Sequence, residues 1–340
     1  MVEARGRGAA MSDGDSNSDG DAAAGAVDGS VAPTLDLDIL NRWRGRRRER
    51  DDTIGAQPVE FLRATLDQPW FDDLRIGAPL PCAWHWIFFI EAAPDRALGR
   101  DGHPLRGDFL PPVALPRRMW AGGRLEFAAP ICIGEELRRV STVADIARKT
   151  GRSGELCFVT VRHQFFSGSR LKMSEEHDIV YREDPAPGAP GGPGDPGGED
   201  SPPVAPASPS PSPATDTETT TGIIDSADTV ARITPTPVML FRYSALTFNS
   251  HRIHYDADYC RQVEGFPGPV VHGALTATVL AGLAAQHSGA LPRRFAYRAL
   301  RPLYAGAPVI LSARQQGRGL QLQAADAHGR LAMTAEMELA

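Results

Sequence analysis

A long segment of low complexity divides this sequence in two, and it constrains the fold more than any other feature. Residues 184–222, which include PAPGAPGGPGDPGGEDSPPVAPASPSPSP, are rich in Pro, Gly and Ser. Such a segment buries too little apolar surface to form a core, so we expect a disordered linker. Residues 1–33, rich in Gly, Ala, Ser and Asp, are expected to be a disordered tail. The ordered chain is therefore predicted as two domains, residues 34–183 and residues 223–340.

The composition of the chain indicates a soluble globular protein. Of its 340 residues, 42% are hydrophobic, which is enough for a sizeable core. No apolar run approaches the roughly 18 to 20 residues that a membrane span needs. The N-terminus also lacks the charged and then apolar pattern of a signal peptide. We therefore predict a cytoplasmic protein without a membrane partner.

The charges and cysteines argue against several classes of function. The net charge is −6, and the one dense basic cluster, RWRGRRRER at residues 42–50, is interleaved and followed by acidic residues. We expect this cluster to be a solvated face and the protein to have no nucleic-acid partner. Arginine is abundant while lysine occurs only twice, which is typical of GC-rich bacterial coding sequences. The four cysteines form no CxxC pair, so neither a disulfide framework nor a zinc site is indicated.

The two halves show the same order of patterns. The second half has helical spacing in VMLFRYSAL, a helix without proline in GALTATVLAGLAAQH, and then alternating strands in RRFAYRALRPLYAG, APVILSARQQG, GLQLQAADAHG and RLAMTAEMEL. The first half has a short helix in VEFLRATLD and an apolar helix candidate in AWHWIFFIEAA. Its strands are predicted in GGRLEFAAPICIG, EELRRVSTVADIARKTG, SGELCFVTVRHQFFSG and RLKMSEEHDIVYR. Pro130 and Gly134 in one half match Pro302 and Gly306 in the other.

This repetition predicts an α+β fold made of two hotdog units, each an antiparallel sheet wrapped around a buried helix. Two such units in one chain would form a pseudo-dimer whose strands pair across the middle. Further pairing into a homodimer is also possible in this class of fold.

The stretch LTFNSHRIHYD, residues 246–256, concentrates the chemically useful side chains. His251 and His254 would lie on one side of a helix and could bind a metal, but no third ligand has a convincing spacing. We therefore predict no metal. An acid/base role and a purely structural role for these histidines both remain open from the residues alone.

The stretch from Leu246 to Leu280 resembles the signature of the MaoC-like enoyl-thioester hydratases. LPCAWHWIFF and LGRDGHPLRGDFLPPVALPRRMWAGG in the first half resemble the dehydratase-like domain that precedes it in one two-hotdog branch. That branch contains mesaconyl-C4-CoA (3-methylfumaryl-CoA) hydratases, itaconyl-CoA hydratase-like proteins and 3-hydroxyacyl-thioester dehydratases. The resemblance covers residues 36–183 and 225–340.

The resemblance implies a hydro-lyase that hydrates the double bond of a 2-enoyl-CoA and needs no cofactor, since CoA is part of the substrate. The preferred substrate is mesaconyl-C4-CoA, which would give citramalyl-CoA. The alternatives are a general 3-hydroxyacyl-thioester dehydratase and an inactive acyl-thioester-binding protein. A thioesterase would need a carboxylate near the start of the helix, and VVHGALT contains none.

Carried over onto this chain, the motif places the catalytic histidine at His254 and puts Asn249 where the motif has a catalytic aspartate. Because an amide cannot act as a base, Asn249 is expected to position water or substrate. His251 is expected to brace the loop through a hydrogen bond. Whether His254 performs both proton transfers, or a carboxylate such as Asp256 replaces the lost one, stays open.

The start of the buried helix, His272 and Gly273, is expected to bind the thioester carbonyl, because unpaired N–H groups at a helix N-terminus stabilise an oxyanion. Arg252 is one candidate to bind a substrate carboxylate or a CoA phosphate. Arg117 and Arg118 are two further candidates, and structural salt bridges are the alternative for them. PRRMWAGG and DGHP are expected to be ordered loops.

In the first half, Trp84, His85 and Trp86 are expected to pack the helix and a substrate tunnel. This half has no recognisable catalytic motif, so we expect it to shape the acyl pocket without taking part in the chemistry.

Overall fold

The computed structural model describes residues 35–69, 74–151, 154–183 and 229–340. The tail predicted at residues 1–33 and the linker predicted at residues 184–222 lie outside these residues. The described residues from Leu35 to Ala340 group as one unit, so the boundaries predicted for two domains stay a prediction.

Ten strands form a single antiparallel sheet. They are β1 (Arg47–Thr53), β2 (Arg117–Phe127), β3 (Glu136–Gly151), β4 (Gly154–Ser167), β5 (Arg170–Arg182), β6 (Thr229–Ile233), β7 (Pro292–Ala299), β8 (Val309–Gln316), β9 (Gly319–Ala325) and β10 (Leu331–Leu339). Their order in the sheet is β1-β3-β4-β5-β2-β7-β10-β9-β8-β6. Read outward from the centre, each half therefore repeats the same topology.

The two halves join where β2 pairs with β7, with Gly122 opposite Arg298 and Glu126 opposite Arg294. This pairing across the middle confirms the predicted pseudo-dimer of two hotdog units. It also places β2 and β7 at the centre of the sheet, where residues of both halves face a common interior.

In the described ranges, four α-helices of five or more residues accompany the sheet: α1 (Leu37–Asn41), α2 (Ala56–Leu66), α3 (Pro237–Thr247) and α4 (Gly273–Ser288). The helix α4 is the central helix of the second half and packs against β7, β8, β9 and β10. All its residues from Leu275 to Ala284 are buried, because small and apolar side chains cover every side. No helix in the described ranges has both the length and the apolarity to cross a membrane.

The helix predicted in AWHWIFFIEAA is wrong, since only a 3-10 turn at Trp84–Ile87 forms there. Phe89 has a positive φ of 56°, and its backbone N–H donates to Asp52 Oδ2 at 2.6 Å. Trp84 and Phe89 are fully buried in the core. The apolar composition thus predicted burial correctly. The side chains point in several directions from an irregular backbone, however, and do not lie along one face of a helix.

One further local prediction needs correction. PRRMWAGG is not a loop, because β2 begins at Arg117 and contains all of these residues except Pro116. The basic cluster contributes to β1, an edge strand paired with β3. Most of its side chains are exposed, as expected of a solvated face.

Candidate active site

A cavity of about 1320 Å³ lies between the two halves. From the first half it is lined by strands β2 and β5 and by the loop that contains Asp101 and His103. From the second half it is lined by the loop at residues 249–254 and by the start of α4. The motif recognised in the sequence therefore faces side chains that come from the other half of the chain.

The motif loop begins directly after α3. Phe248 adopts a left-handed conformation with φ 49° and ends the helix, and Asn249 Oδ1 accepts a hydrogen bond from the backbone N–H of His251 at 3.0 Å. A 3-10 turn follows at Arg252–His254. Asp256 accepts from the backbone N–H of Tyr259 and forms a salt bridge with Arg252. Asp256 thus caps the next turn, outside the cavity, and does not replace the missing acid.

His254 is the motif side chain best placed for acid/base chemistry. Its Nδ1 lies 2.7 Å from the carbonyl oxygen of Val270. Because a carbonyl oxygen can only accept, Nδ1 carries the proton and Nε2 keeps its lone pair. Burial lowers the pKa of His254 to about 4, although the bond to Val270 opposes the shift. The imidazole is therefore neutral near pH 7 and can accept a proton.

His272 and Gly273 stand beside this imidazole. The rings of His254 and His272 are stacked, with centroids 3.6 Å apart, and His272 Nε2 is 2.8 Å from Ser244 Oγ. Gly273 is the first residue of α4, so its N–H has no acceptor within the helix. A β-carbon at Gly273 would lie 2.9 Å from the ring of Trp120, so this site has room only for glycine.

His251 does not brace the loop through a side-chain hydrogen bond, as its ring makes none in the described part of the chain. The ring instead lies between two others, with centroids 4.1 Å from His103 and 5.5 Å from His254. Burial and the charges of His103 and His254 lower its pKa to about 2. Asn249 makes the bond that braces the loop, which leaves its amide nitrogen for water or substrate.

The first half brings two residues to this site, Asp101 and His103, whose role could not be predicted from the sequence. Asp101 Oδ2 lies 2.8 Å from His103 Nδ1, and Asp101 Oδ1 accepts from the backbone N–H of His103 at 3.0 Å. With His251 they form a group whose ligand-type atoms all lie within 4.8 Å of one another. The only local signal was the Asp-Gly-His spacing in a turn, and nothing in it indicated a partner about 150 residues away.

The loop carrying this pair is attached directly to the motif loop. Ser250 Oγ donates to the carbonyl oxygen of Gly102 at 2.5 Å, and the backbone N–H of Arg252 donates to the carbonyl oxygen of Asp101 at 2.8 Å. Gly102 has φ +84°, and a β-carbon there would overlap the carbonyl oxygen of Ser250. Glycine is therefore required for both the conformation and the close approach.

We expect Gly102→Ala to destabilise the protein by about 3 kcal/mol or more, because left-handed strain and steric overlap act together. Gly45→Ala is the matched control, since Gly45 has φ +82° and nothing within 4 Å of a β-carbon. The control should lose about 1 to 2 kcal/mol from strain alone. Urea unfolding measures both, and equal losses would contradict the close contact with Ser250.

The three candidate arginines differ in their surroundings. Arg252 is bound to Asp256 and does not line the cavity. Arg117 is buried and forms a salt bridge with Glu264, the structural alternative considered for it. Arg118 lines the cavity, and its positive charge lowers the pKa values of His103 and His251. Of the three, the structure brings Arg118 to the histidines.

A second polar cluster forms the wall of the cavity in the first half. Glu175, only 1% exposed, binds the rings of His85 at 2.9 Å, Trp86 at 2.6 Å and His177 at 2.5 Å. Burial raises the pKa of Glu175, but the two histidines outweigh it and hold the pKa well below its usual value. His85 and Trp86 thus line the cavity as expected, fixed by a carboxylate that the sequence analysis did not single out.

The comparisons with known proteins identify the family of the chain. A family model described as hydroxyacyl-thioester dehydratase type 2 matches residues 83–305. The chain belongs to this family. The matched region includes both the Asp101 loop and the His254 loop, so the family extends across both halves of the cavity.

Two curated relatives and one solved structure extend the comparison. The chain is 41% identical over 298 residues to the mesaconyl-C(4)-CoA hydratase of Chloroflexus aurantiacus, covering 87% of this chain and 96% of the relative. It is 26% identical over 292 residues to the mitochondrial hydroxyacyl-thioester dehydratase type 2 of Schizosaccharomyces pombe, covering 78% and 89%. A structure described as a MaoC-like dehydratase aligns with TM-score 0.61 and 17% identity over 88% of this chain and 100% of that chain. The expected fold is confirmed by the solved structure, and the expected branch of hydratases and hydroxyacyl-thioester dehydratases is confirmed by the family model and the 41% identical relative.

Proposed function

We propose that this protein is a hydro-lyase that reversibly hydrates the double bond of a 2-enoyl-CoA thioester, with mesaconyl-C4-CoA as its substrate and citramalyl-CoA as the product. The observation that carries the proposal is the 41% identity to a mesaconyl-C(4)-CoA hydratase over 96% of that relative. The family and the histidine site at the cavity support it.

The site can perform the first half of the addition with its own residues. As water adds to the β-carbon, negative charge develops on the thioester oxygen, and the N–H of Gly273 at the positive end of α4 stabilises that charge. His254 Nε2 accepts the proton that the water loses. Asn249 holds the water or the substrate through its amide nitrogen. These steps require no cofactor beyond the CoA of the substrate.

The substrate itself explains why an arginine is needed close to the histidines. In mesaconyl-C4-CoA the free carboxylate is attached directly to the β-carbon, where the water adds. A residue that binds this carboxylate must therefore lie next to the acid/base group. Arg118 is the candidate because it lines the same cavity as His254 and its charge acts on His103 and His251. A guanidinium binds a carboxylate through two parallel hydrogen bonds.

The test compares hydration of mesaconyl-C4-CoA and crotonyl-CoA, which lacks the carboxylate. We expect wild type to prefer mesaconyl-C4-CoA in kcat/KM. Arg118→Met should lower that value by about 10- to 100-fold, and the value for crotonyl-CoA much less, because a hydrogen bond to a charged group is worth about 1.5 to 3 kcal/mol. Arg314→Met, an exposed arginine on β8 outside the cavity, is the matched control.

Other results would favour other functions. Turnover of crotonyl-CoA or longer chains alone would indicate the general 3-hydroxyacyl-thioester dehydratase that the family description and the yeast relative support. Binding of an enoyl-CoA without turnover would indicate an acyl-thioester-binding protein. We further propose that the enzyme is bacterial and cytoplasmic. We also propose that it forms a homodimer, and the molar mass of the purified protein from light scattering would test this assembly.

A further inference from the structure

Hydration of an enoyl thioester needs two proton transfers. One removes a proton from water, and the other adds a proton to the α-carbon. The motif of the second half offers His254 for one transfer, and it has Asn249 where an acid is expected. The inference below rests on the proposed function and concerns the group that performs the other transfer.

We propose that His103, held by Asp101, is a second catalytic acid/base of this reaction and that the first half of the chain supplies it. His103 lines the same cavity as His254, and its ring lies 4.1 Å from that of His251 in the motif loop. Position 249 has no carboxylate, and Asp101 of the first half supplies one to the site. Asp101 acts through His103 and is a positioning residue.

The imidazoles of His103 and His254 are held in the same way. Each is bonded at Nδ1 to a group that accepts a hydrogen bond, Asp101 at 2.8 Å and Val270 at 2.7 Å. Each therefore has Nε2 as its reactive nitrogen, and among the described residues neither Nε2 has a hydrogen-bond partner. A proton on His103 would lower the pKa of His254, so the two imidazoles interact electrostatically.

The position of His103 is fixed by its loop. Within the loop, the backbone N–H of Gly99 donates to the carbonyl oxygen of His103 at 2.7 Å, and that of Leu105 to Ala97 at 2.9 Å. Outside it, Ser250 and the backbone of Arg252 bind the loop to the motif loop, as described above. Such rigid support from two sides is what an acid/base residue requires.

The charged groups around His103 determine its protonation state. Burial and the positive charges of Arg118 and Arg106 lower its pKa to about 4, although Asp101 opposes this shift. Burial raises the pKa of Asp101, but the hydrogen bonds and charge of His103 outweigh it and hold that pKa below its ordinary value. His103 is therefore a neutral imidazole beside an ionised carboxylate, which stabilises the imidazolium that forms on proton uptake.

The proton then passes through both imidazoles in the hydration direction. One O–H bond of the water breaks as its oxygen bonds to the β-carbon, and its proton goes to Nε2 of His254. The π electrons move through the α-carbon to the thioester oxygen. The proton passes through water in the cavity to Nε2 of His103, where Asp101 balances its charge. His103 gives it to the α-carbon, the carbonyl re-forms, and both imidazoles end neutral.

Asp101, His103 and His251 could alternatively hold a divalent metal, because their ligand-type atoms are close together. The acid/base interpretation is favoured because Asp101 and His103 are already joined by a hydrogen bond at 2.8 Å. A metal would have to remove the proton between them and redirect both side chains. The experiment below separates the two interpretations.

The test is hydration by His103→Ala with and without added imidazole, in full-length protein. We expect kcat to fall by about 10²- to 10³-fold with KM little changed, within the range of general acid/base catalysis. Imidazole should restore part of the rate, and the restored rate should rise with the basicity of substituted imidazoles. His287→Asn, a histidine bound to Thr229 outside the cavity, should keep wild-type activity.

A second variant, Asp101→Asn, keeps the shape of the loop and removes the negative charge. We expect kcat to fall by about 10- to 100-fold with unchanged KM and an unchanged melting temperature. If Asp101 only held the loop together, its substitution would lower the melting temperature and raise KM. Such a result would overturn the role assigned to Asp101.

The inference is overturned if His103→Ala stays within about tenfold of wild type, or if imidazole has no effect on a folded variant. It is also overturned if the wild type loses activity to a chelator and regains it with a divalent metal. If wild type hydrates no enoyl-CoA, the proposed function fails. If wild type is active and His103→Ala is equally active, only this inference fails.

Discussion

Replacement of His254 by asparagine is expected to lower kcat for hydration by about 10³- to 10⁴-fold, at the upper end of the range for a general acid/base residue. An asparagine amide can still donate to the carbonyl oxygen of Val270, so the loop keeps its contact. It has no nitrogen lone pair that can accept a proton from water. The neutral state that burial imposes on His254 makes that lone pair available near pH 7.

Loss of the enoyl-thioester absorbance measures the effect, with thermal unfolding to show that the variant folds. His287→Asn again makes the same chemical change outside the cavity. A His254→Asn variant that unfolds like wild type but hydrates at more than a tenth of its rate would remove His254 from the mechanism. We expect KM to change little, because the effect is on the transition state.

The second large effect is on stability below neutral pH. The pKa values of five histidines are lowered, with burial the largest cause at each: His254 and His103 to about 4, His251 to about 2, and His163 and His272 well below the ordinary value. Below pH about 6.5 the unfolded chain binds protons on these residues and the folded chain does not. Stability is therefore lost as the pH falls.

At one pH unit below 6.5, each of these histidines lowers the free energy of unfolding by about 1.4 kcal/mol. Five would remove up to roughly 7 kcal/mol at pH 5.5, which is comparable with the whole stability of a typical protein. Urea unfolding at pH 7.5 and pH 5.5 measures the difference. Carboxyl groups do not interfere, because their ordinary pKa values lie below this range.

A single substitution provides the control for this prediction. His103→Asn removes one of the five histidines. The free energy of unfolding of this variant should therefore fall by about 1.4 kcal/mol less than that of wild type between pH 7.5 and pH 5.5. An unfolding free energy that is the same at pH 7.5 and pH 5.5 would contradict neutral, buried histidines at this site.

Local sequence patterns predicted most of the regular secondary structure. The helix α4 and the strands of both meanders could be predicted because alternation and helical spacing are local. The run AWHWIFFIEAA was wrongly predicted as a helix, because an apolar composition indicates that side chains are buried but does not indicate the backbone conformation. Arg118 could be named from the sequence, but its choice over Arg117 and Arg252 depends on partners that only the folded chain provides.

The amino-acid sequence by itself determined the repeated four-strand meander, the buried helix that begins at Gly273 and the motif that contains His254, because each depends on residues close together in the chain. Only the tertiary structure decided which groups share the cavity. Asp101 and His103 meet His251 through contacts across about 150 residues, made when β2 pairs with β7 and Gly102 docks on Ser250. No local pattern records such a contact, because its physical cause is the packing of one half against the other.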